Sequence, residues 1–195
     1  GRIIGEELLP EKIVTIARSR GCRSIAYTYT EPTIFFEYAY DTARLAYKEG
    51  IKNVLVTNVC TPSEAIKEIA PFLDAANIDL KGFTEDFYKK VCGAKLQPVL
   101  DNIRLYKELG VWVEVTTLII PGYSDDENQL TGIAGFIKSV DENIPWHVSA
   151  FYPAFRLLDV PPTTGDSLRK ARDIGLKAGL RYVYEGNIPG GGGES

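Results

Sequence analysis

Residues 96–120 read LQPVLDNIRLYKELGVWVEVTTLII, and this stretch contains the unit that decides the fold. Its first part has the spacing of a charged amphipathic helix and ends at Gly110, a residue suited to the left-handed position that closes a helix. A run rich in β-branched residues follows at once, which predicts a strand. The predicted unit is therefore a helix, a glycine and a strand.

The same unit occurs three more times in the 195 residues. The helix-to-strand pairs are 13–21 with 25–30, 33–50 with 54–58, and 168–179 with 181–184. Two further strands are expected at 75–81 and 146–152, after helical stretches at 62–73 and 127–139. The sequences at 61–64 and 124–127 have the pattern of capping boxes and predict the starts of two helices.

Strands that alternate with helices predict an α/β fold with parallel strands and outer helices. The strands look largely apolar on both faces, as expected for strands covered by helices. Six strands are fewer than the eight of a closed barrel, so a partial (β/α)6 TIM-like barrel and a doubly wound sheet both accommodate them. In either fold the binding groups are expected at the carboxyl ends of the strands.

Composition narrows the classes of partner. Twenty-two Lys and Arg against 26 Asp and Glu give a formal charge of -4, so no basic field favours nucleic acid. No apolar run approaches the ~20 residues of a membrane span, and no signal segment opens the chain, so a cytoplasmic protein without a membrane partner is expected. One domain is predicted at 1–189, followed by a flexible glycine-rich tail at 190–195.

Polar residues follow several predicted strands and suit a small zwitterionic ligand; they are Thr30, Glu31, Asn58, Asp79, Lys81, Thr116 and Thr117. Asp79 and Lys81 are two residues apart on one strand, so they share a face. They could bind a ligand together or form a structural ion pair, and the sequence favours neither. Glu31 precedes Pro32, and this position taken alone favours a cap of the next helix over a ligand contact.

Other chemistries have little support. His147 is the single histidine and lies beside Trp146 in an apolar strand, which is typical of a core residue with one hydrogen bond. No nucleophile elbow, phosphate-binding loop or dinucleotide fingerprint is present. Cys22, Cys60 and Cys92 match neither a disulfide framework nor a metal-binding pair and are predicted to be buried thiols.

Five segments together resemble radical S-adenosylmethionine (SAM) proteins, within the group similar to pyruvate formate-lyase activating enzyme, in the branch often called the AmmeMemoRadiSam system. The segments are 24–38, 56–58, 73–82, 113–122 and 145–147. The resemblance runs from about residue 10 to residue 189. It implies a partial (β/α)6 barrel with a [4Fe-4S] cluster and S-adenosylmethionine at the strand ends. The implied activity is reductive cleavage of S-adenosylmethionine to a 5'-deoxyadenosyl radical, which takes hydrogen from a small molecule or from a partner such as a glycyl-radical protein.

The resemblance also implies roles for the amino-acid part of the cofactor. Glu31 and Pro32 match the family motif Gly-Gly-Glu-Pro, which holds the methionine amino group, and Thr30 stands where the second glycine would be. Lys81 is placed near the methionine carboxylate. These roles agree with simple chemistry, because an ammonium needs acceptors and a carboxylate needs donors.

For the remaining candidates the resemblance implies contacts with other parts of the cofactor. Asn58 and Asp79 would lie beside the cofactor or a cation, Thr116 and Thr117 toward the ribose, and Ile120 against the adenine.

The cluster motif of the family, Cys-x3-Cys-x2-Cys, is absent from the sequence. Three thiolates must reach one small cube of iron and sulfur, and Cys22, Cys60 and Cys92 are too scattered for that. We therefore expect no metal ligand in this chain and place the cluster cysteines upstream of Gly1. Two rivals need no cluster: a (β/α) barrel enzyme that uses Lys81 and Asp79, and a non-enzymatic regulator that binds a nucleoside.

Overall fold

The computed structural model describes residues 8–188, so the predicted tail at 190–195 lies outside the described residues. The strands are β1 Ser24–Tyr27, β2 Lys52–Thr57, β3 Ala75–Asp79, β4 Trp112–Ile119, β5 Trp146–Ala150 and β6 Val183–Gly186. The helices are α1 Pro10–Ser19, α2 Phe36–Lys48, α3 Ser63–Ile69, α4 Glu85–Phe87, α5 Leu96–Glu108, α6 Glu127–Val140 and α7 Gly165–Ala178. Two 3₁₀ turns, Pro32–Phe35 and Ala70–Phe72, and one π-helical turn, Tyr88–Cys92, complete the elements.

All six strands belong to one parallel sheet in the order β1-β2-β3-β4-β5-β6. The parallel pairing of β1 with β2 aligns Ala26 with Val54. Because the order follows the sequence without reversal, connections of one hand place the helices on one face of the sheet. The predicted partial barrel with outer helices is confirmed, and the doubly wound alternative is wrong.

The two faces of the sheet differ in polarity. Val113, Val115 and Ile119 on β4 are fully buried and belong to the main core cluster, which the helices share. The alternate residues Glu114 and Thr116 are only half-buried. We call the helix-covered side the outer face and the opposite side the inner face. The prediction that both faces are apolar is wrong, because the inside of an open barrel stays accessible and holds polar side chains.

Glycines end the helices as predicted, since Gly21, Gly50, Gly110 and Gly179 all have positive φ. Neither predicted capping box forms. The hydroxyl of Ser124 donates to the Leu118 carbonyl, and Asp126 caps α6 instead by accepting from the Gln129 N–H at 3.0 Å. Helix α3 begins after Pro62 without a side-chain cap.

The segment from α4 through the π-helical turn was not predicted from the sequence. Thr84 caps it by accepting from the N–H of Phe87 at 3.1 Å. Threonine followed by Glu85 and Asp86 is a helix-start signal that could have revealed it. This segment lies beyond the end of β3 and forms a wall of the site described below.

No helix within residues 8–188 has the length and apolar character needed to cross a membrane.

Candidate functional site

A cavity of about 260 Å³ lies at the carboxyl ends of β2, β3 and β4. It brings together four of the predicted site residues, Asn58, Asp79, Lys81 and Ile120. A larger groove of about 480 Å³ lies between α1 and α2 and contains none of them. The smaller cavity is the better candidate because it lies at the strand ends, where ligands bind to parallel sheets.

Asp79 and Lys81 share the inner face, as their spacing predicts. Lys81 Nζ donates to Asp79 Oδ2 at 2.8 Å, so the structural ion pair exists. The Lys81 and Asp79 side chains nevertheless keep 40% and 32% of their surface exposed and line the cavity. An exposed pair contributes little to folding. The two readings of this pair are therefore compatible, because the pair remains open to a ligand.

Asn58 enters the cavity through an unusual turn. The next residue, Val59, has a φ of 54°, which is rare for a β-branched side chain. Its N–H donates to Thr57 Oγ1, and its carbonyl accepts from the Asn102 amide at 2.9 Å. The Asn58 Oδ1 atom is buried and has no hydrogen-bond partner among residues 8–188. A buried acceptor without a donor costs about 1–3 kcal/mol, so this atom is suited to a ligand that donates.

Glu31 has a different environment. Its Oε1 accepts from the hydroxyls of Thr57 at 2.6 Å and Thr33 at 2.8 Å and from the Thr33 N–H, and its Oε2 accepts from the Asn58 N–H at 2.7 Å. Burial alone raises the pKa of Glu31, but these hydrogen bonds outweigh it and lower the pKa below the usual value. Glu31 caps the 3₁₀ turn and does not line the cavity. Its contact with a methionine ammonium stays a prediction.

The two residues before Glu31 lie in the loop just beyond the end of β1. Thr30 is exposed, and Tyr29 is 99% exposed with a φ of 67°. This left-handed conformation is easily adopted by glycine and costs about 1–2 kcal/mol for other residues. The backbone thus keeps a shape suited to the first glycine of the family motif, although tyrosine occupies the position.

Thr116 and Thr117 point in opposite directions. Thr116 lies on the inner face and donates to Asn77 Oδ1 at 2.7 Å. Thr117 is fully buried on the outer face, where its hydroxyl donates to the Leu80 carbonyl and accepts from Trp146 Nε1. The prediction that both face the ribose is wrong for Thr117, because neighbours on a strand alternate between faces.

The cysteines are less buried than predicted, since Cys22 and Cys60 are exposed and Cys92 is intermediate. Cys22 precedes β1, while Cys60 and Cys92 line the cavity. Burial raises the pKa of both cavity thiols. Within residues 8–188, no three His, Cys, Asp or Glu side chains are grouped to hold a metal ion. The side chains described do not fit a four-iron cluster.

His147 is not the core residue predicted from the sequence. Its side chain is half-buried on the inner face, with Nε2 at 2.8 Å from Glu114 Oε2. The imidazole also stacks on the ring of Tyr184. Glu114 was not a candidate, although its position two residues before Thr116 places both on one face.

Comparison with known proteins decides the family. The model of the radical SAM superfamily matches residues 1–131. The chain belongs to the radical SAM superfamily.

Two relatives show which proteins this radical SAM chain resembles in sequence. It is 46% identical over 190 residues to an uncharacterized protein of Methanocaldococcus jannaschii. This match covers 97% of this chain and 56% of that protein. The chain thus spans little more than half of that relative. It is 24% identical to the pyruvate formate-lyase 1-activating enzyme of Escherichia coli K12, covering 94% of this chain and 81% of that enzyme.

A solved structure supports the fold of the radical SAM chain. A domain of a pyruvate-formate lyase-activating enzyme from Bacteroides vulgatus superposes with a TM-score of 0.74 at 18% identity. The match covers 84% of this chain and 99% of that domain.

The cavity fits the amino-acid part of S-adenosylmethionine, the cofactor that the superfamily name implies. An α-ammonium needs acceptors, which the Asp79 carboxylate and Asn58 Oδ1, without a partner among residues 8–188, could supply. An α-carboxylate needs a donor, which Lys81 supplies. Ile120 and Leu118 add apolar surface beside these groups.

Proposed function

We propose that this chain binds S-adenosylmethionine in the cavity of Asn58, Asp79 and Lys81 and serves radical chemistry. The observation that carries the proposal is the buried Asn58 oxygen, which has no donor among residues 8–188 and lies in one cavity with a carboxylate and an ammonium. In this assignment Asn58 and Asp79 accept from the α-ammonium, and Lys81 donates to the α-carboxylate.

The chain's own residues bind and orient the cofactor in this proposal. If reduced by one electron from a [4Fe-4S] cluster, which the described side chains do not hold, bound S-adenosylmethionine would break its C5'–S bond, release methionine and supply a 5'-deoxyadenosyl radical that takes a hydrogen atom from the substrate. The Lys81 ammonium and the Asn58 amide fix the amino-acid end, so the rest of the molecule extends from a fixed point. Ile120 and Leu118 exclude water from the neighbouring surface.

Thr116 lies on the inner face beside Asp79 and connects the two strands next to the cavity. Asp79 and Thr116 are register partners on β3 and β4. The Thr116 hydroxyl donates to Asn77, so it ties the two strands together below the cavity. Its proposed contact with the ribose would use the remaining acceptor capacity of the hydroxyl.

The partner proposal comes from the relatives. The Escherichia coli enzyme is named for activating pyruvate formate-lyase, a protein. We propose that hydrogen is taken from a protein of the glycyl-radical kind or from a small molecule.

Anaerobic titration calorimetry with S-adenosylmethionine tests the cofactor assignment, with adenosine and methionine as half-molecule probes. We expect saturable binding of the whole molecule and much weaker binding of each half. Reduction by dithionite of protein that also carries a [4Fe-4S] cluster, followed by chromatography for 5'-deoxyadenosine, then tests the chemistry. Absence of binding to the folded protein would contradict the proposal.

Borohydride trapping and the adenosine titration separate the two rival functions. A barrel enzyme that uses Lys81 as an amine would form a Schiff base with a carbonyl substrate, and borohydride would reduce and trap that Schiff base. The ammonium of Lys81 donates to Asp79, which disfavours this rival because attack needs a free lone pair. A regulator that binds a nucleoside would bind adenosine as tightly as S-adenosylmethionine and form no product.

A further inference from the structure

The inner face carries a second polar cluster beside the cavity. One register row crosses four strands and pairs Asp79 with Thr116, Thr116 with His147, and His147 with Tyr184. Neighbouring strands lie about 4.8 Å apart, so the His147 backbone is roughly 10 Å from that of Asp79. Glu114 lies one layer below this row on β4. The cluster of Glu114, His147, Tyr184 and Ser149 is therefore next to the cavity without being part of its lining.

The imidazole of His147 contacts Glu114 and Tyr184, and Trp112 in turn holds the Glu114 carboxylate. Nε2 lies 2.8 Å from Glu114 Oε2, and Trp112 Nε1 donates to the other carboxylate oxygen at 3.1 Å. The ring of Tyr184 stacks against the imidazole with a centroid distance of 5.4 Å and an angle of 26°. A carboxylate beside one ring nitrogen favours the tautomer that carries its hydrogen there. The other nitrogen, Nδ1, is then an acceptor.

Several polar atoms of the cluster are free to meet a ligand. Among residues 8–188, no hydrogen bond is formed by His147 Nδ1 or by the hydroxyls of Ser149 and Tyr184. Ser149 is the register partner of Gly186, and a Cβ at Gly186 would come no closer than 4.0 Å to any neighbour, the Ser149 hydroxyl. The space between Gly186 and the Ser149 hydroxyl is therefore open. Acceptors that have no donor within residues 8–188 can accept hydrogen bonds from a ligand.

Charge decides which ligand suits the cluster. On the inner face the Lys81 ammonium offsets the Asp79 carboxylate. Among residues 8–188 the Glu114 carboxylate has only the imidazole and the indole N–H as hydrogen-bond partners, so no Lys or Arg side chain offsets its negative charge. A cationic donor complements this charge, and an anion does not.

We propose that Glu114, His147, Ser149 and Tyr184 form an amine-binding subsite for the molecule that reacts beside the cofactor cavity. An ammonium group donates to His147 Nδ1 and to the Ser149 hydroxyl, and Glu114 is the positioning residue that holds the imidazole. The assignment of this ligand as the reacting molecule rests on the proposed function. The subsite is distinct from the groups that hold the methionine end of the cofactor.

The single histidine makes the test specific, because its ring nitrogens give the only imidazole signals of the protein. The purified ¹⁵N-labelled protein is titrated with ethanolamine and with glycolate, which share a hydroxyl but carry opposite charges. We expect ethanolamine to shift the Nδ1 resonance saturably and glycolate to leave it unchanged. Glu114→Gln should weaken the ethanolamine response roughly tenfold, because it removes the negative charge of the cluster and the carboxylate that orients the imidazole. Glu108→Gln, at an exposed position of α5, is the matched control.

Three outcomes would overturn the subsite. They are equal shifts with both probes, no saturable shift, and a Glu114→Gln response equal to the wild type in a folded protein. A Ser149→Ala variant keeps the test independent of Glu114, since it removes one contact and leaves the Glu114–His147 pair in place. Titration of the same sample with S-adenosylmethionine separates the two proposals. Ethanolamine binding without S-adenosylmethionine binding would contradict the proposed function and support the amine-binding subsite.

Discussion

The ends of β1 and β3 each carry a carboxylate, and the fold uses the two differently. Glu31 accepts four hydrogen bonds from its own chain, from Thr33, Thr57 and the Asn58 N–H. Asp79 accepts from the side chain of Lys81 and faces a cavity. A carboxylate at a strand end is therefore more available to a ligand when fewer donors of the chain itself are bonded to it.

The comparison predicts a large difference in stability. Glu31→Ala removes an acceptor from the buried Thr57 hydroxyl and the Asn58 N–H, and we expect the free energy of unfolding to fall by about 3 kcal/mol. Asp79→Ala breaks one exposed ion pair and should cost less than about 1 kcal/mol. Urea denaturation of both variants measures the difference. Equal losses would show that the contacts of Glu31 contribute no more than those of Asp79.

Affinity for S-adenosylmethionine should depend more on the Asp79–Lys81 pair than on Glu31. A charge-assisted hydrogen bond contributes about 1.5–3 kcal/mol, so Lys81→Met should weaken S-adenosylmethionine roughly tenfold to a hundredfold. Lys52→Met is the matched control, because Lys52 forms a similar ion pair with Asp74 at the opposite end of the sheet. Anaerobic calorimetry measures both.

Glu31→Gln sharpens the same experiment. Glutamine keeps one acceptor oxygen and the shape of the side chain, so the affinity should fall less than in Lys81→Met. A larger loss in Glu31→Gln would mean that Glu31 contacts the ammonium directly, as the family resemblance implies.

Two adjacent threonines extend the comparison to the two faces of the sheet. Thr117→Val leaves the Leu80 carbonyl and the Trp146 indole unpaired in the core, and it should lower the free energy of unfolding by about 1–2 kcal/mol. Thr116→Val loses one bond to Asn77 on the accessible face and should cost about half as much. Thermal melts of the pair measure this, and a reversed order would contradict the assigned faces.

The fold was predictable because its signals are local. Helices that end at glycine, such as the one before Gly110, and the strands that follow them are visible in residue spacing alone. Side-chain direction was less predictable, as Thr117 shows, because both threonines are β-branched and equally suited to a strand. The polar residues Glu114 and Thr116 alternate in the sequence with Val113 and Val115, a pattern that itself indicates one polar and one apolar face.

The site was predicted only in part, for a physical reason. Asp79 and Lys81 could be paired from their spacing of two on one strand. The partners of Glu31 come from β2 and from the 3₁₀ turn, so they depend on a register that no local pattern encodes. The orphaned oxygen of Asn58 likewise depends on the left-handed conformation of Val59, which the sequence gives no reason to expect.

The smallest expected effect is a pH dependence that belongs to Glu31. Its pKa is lowered from its usual 4.5, because hydrogen bonds from Thr57, Asn58 and Thr33 to the charged form outweigh the effect of burial. A depressed pKa in the folded state contributes stability that is present above the unfolded value and is lost as the pH falls through the folded value. The stability difference between wild type and Glu31→Gln should thus be constant down to about pH 5 and narrow below pH 4.5.

Urea denaturation at a series of pH values measures this difference, with Glu37→Gln at an exposed position of α2 correcting for the loss of one charge. Below its folded pKa the wild-type side chain is neutral, as glutamine is, so the two proteins lose the same charged acceptor and converge. A difference that stays constant from neutral pH to about pH 3 would show that the Thr57 and Asn58 contacts do not depend on charge. The stabilising role of Glu31 would then come from the shape of its side chain, and its carboxylate charge would be free to serve the ligand.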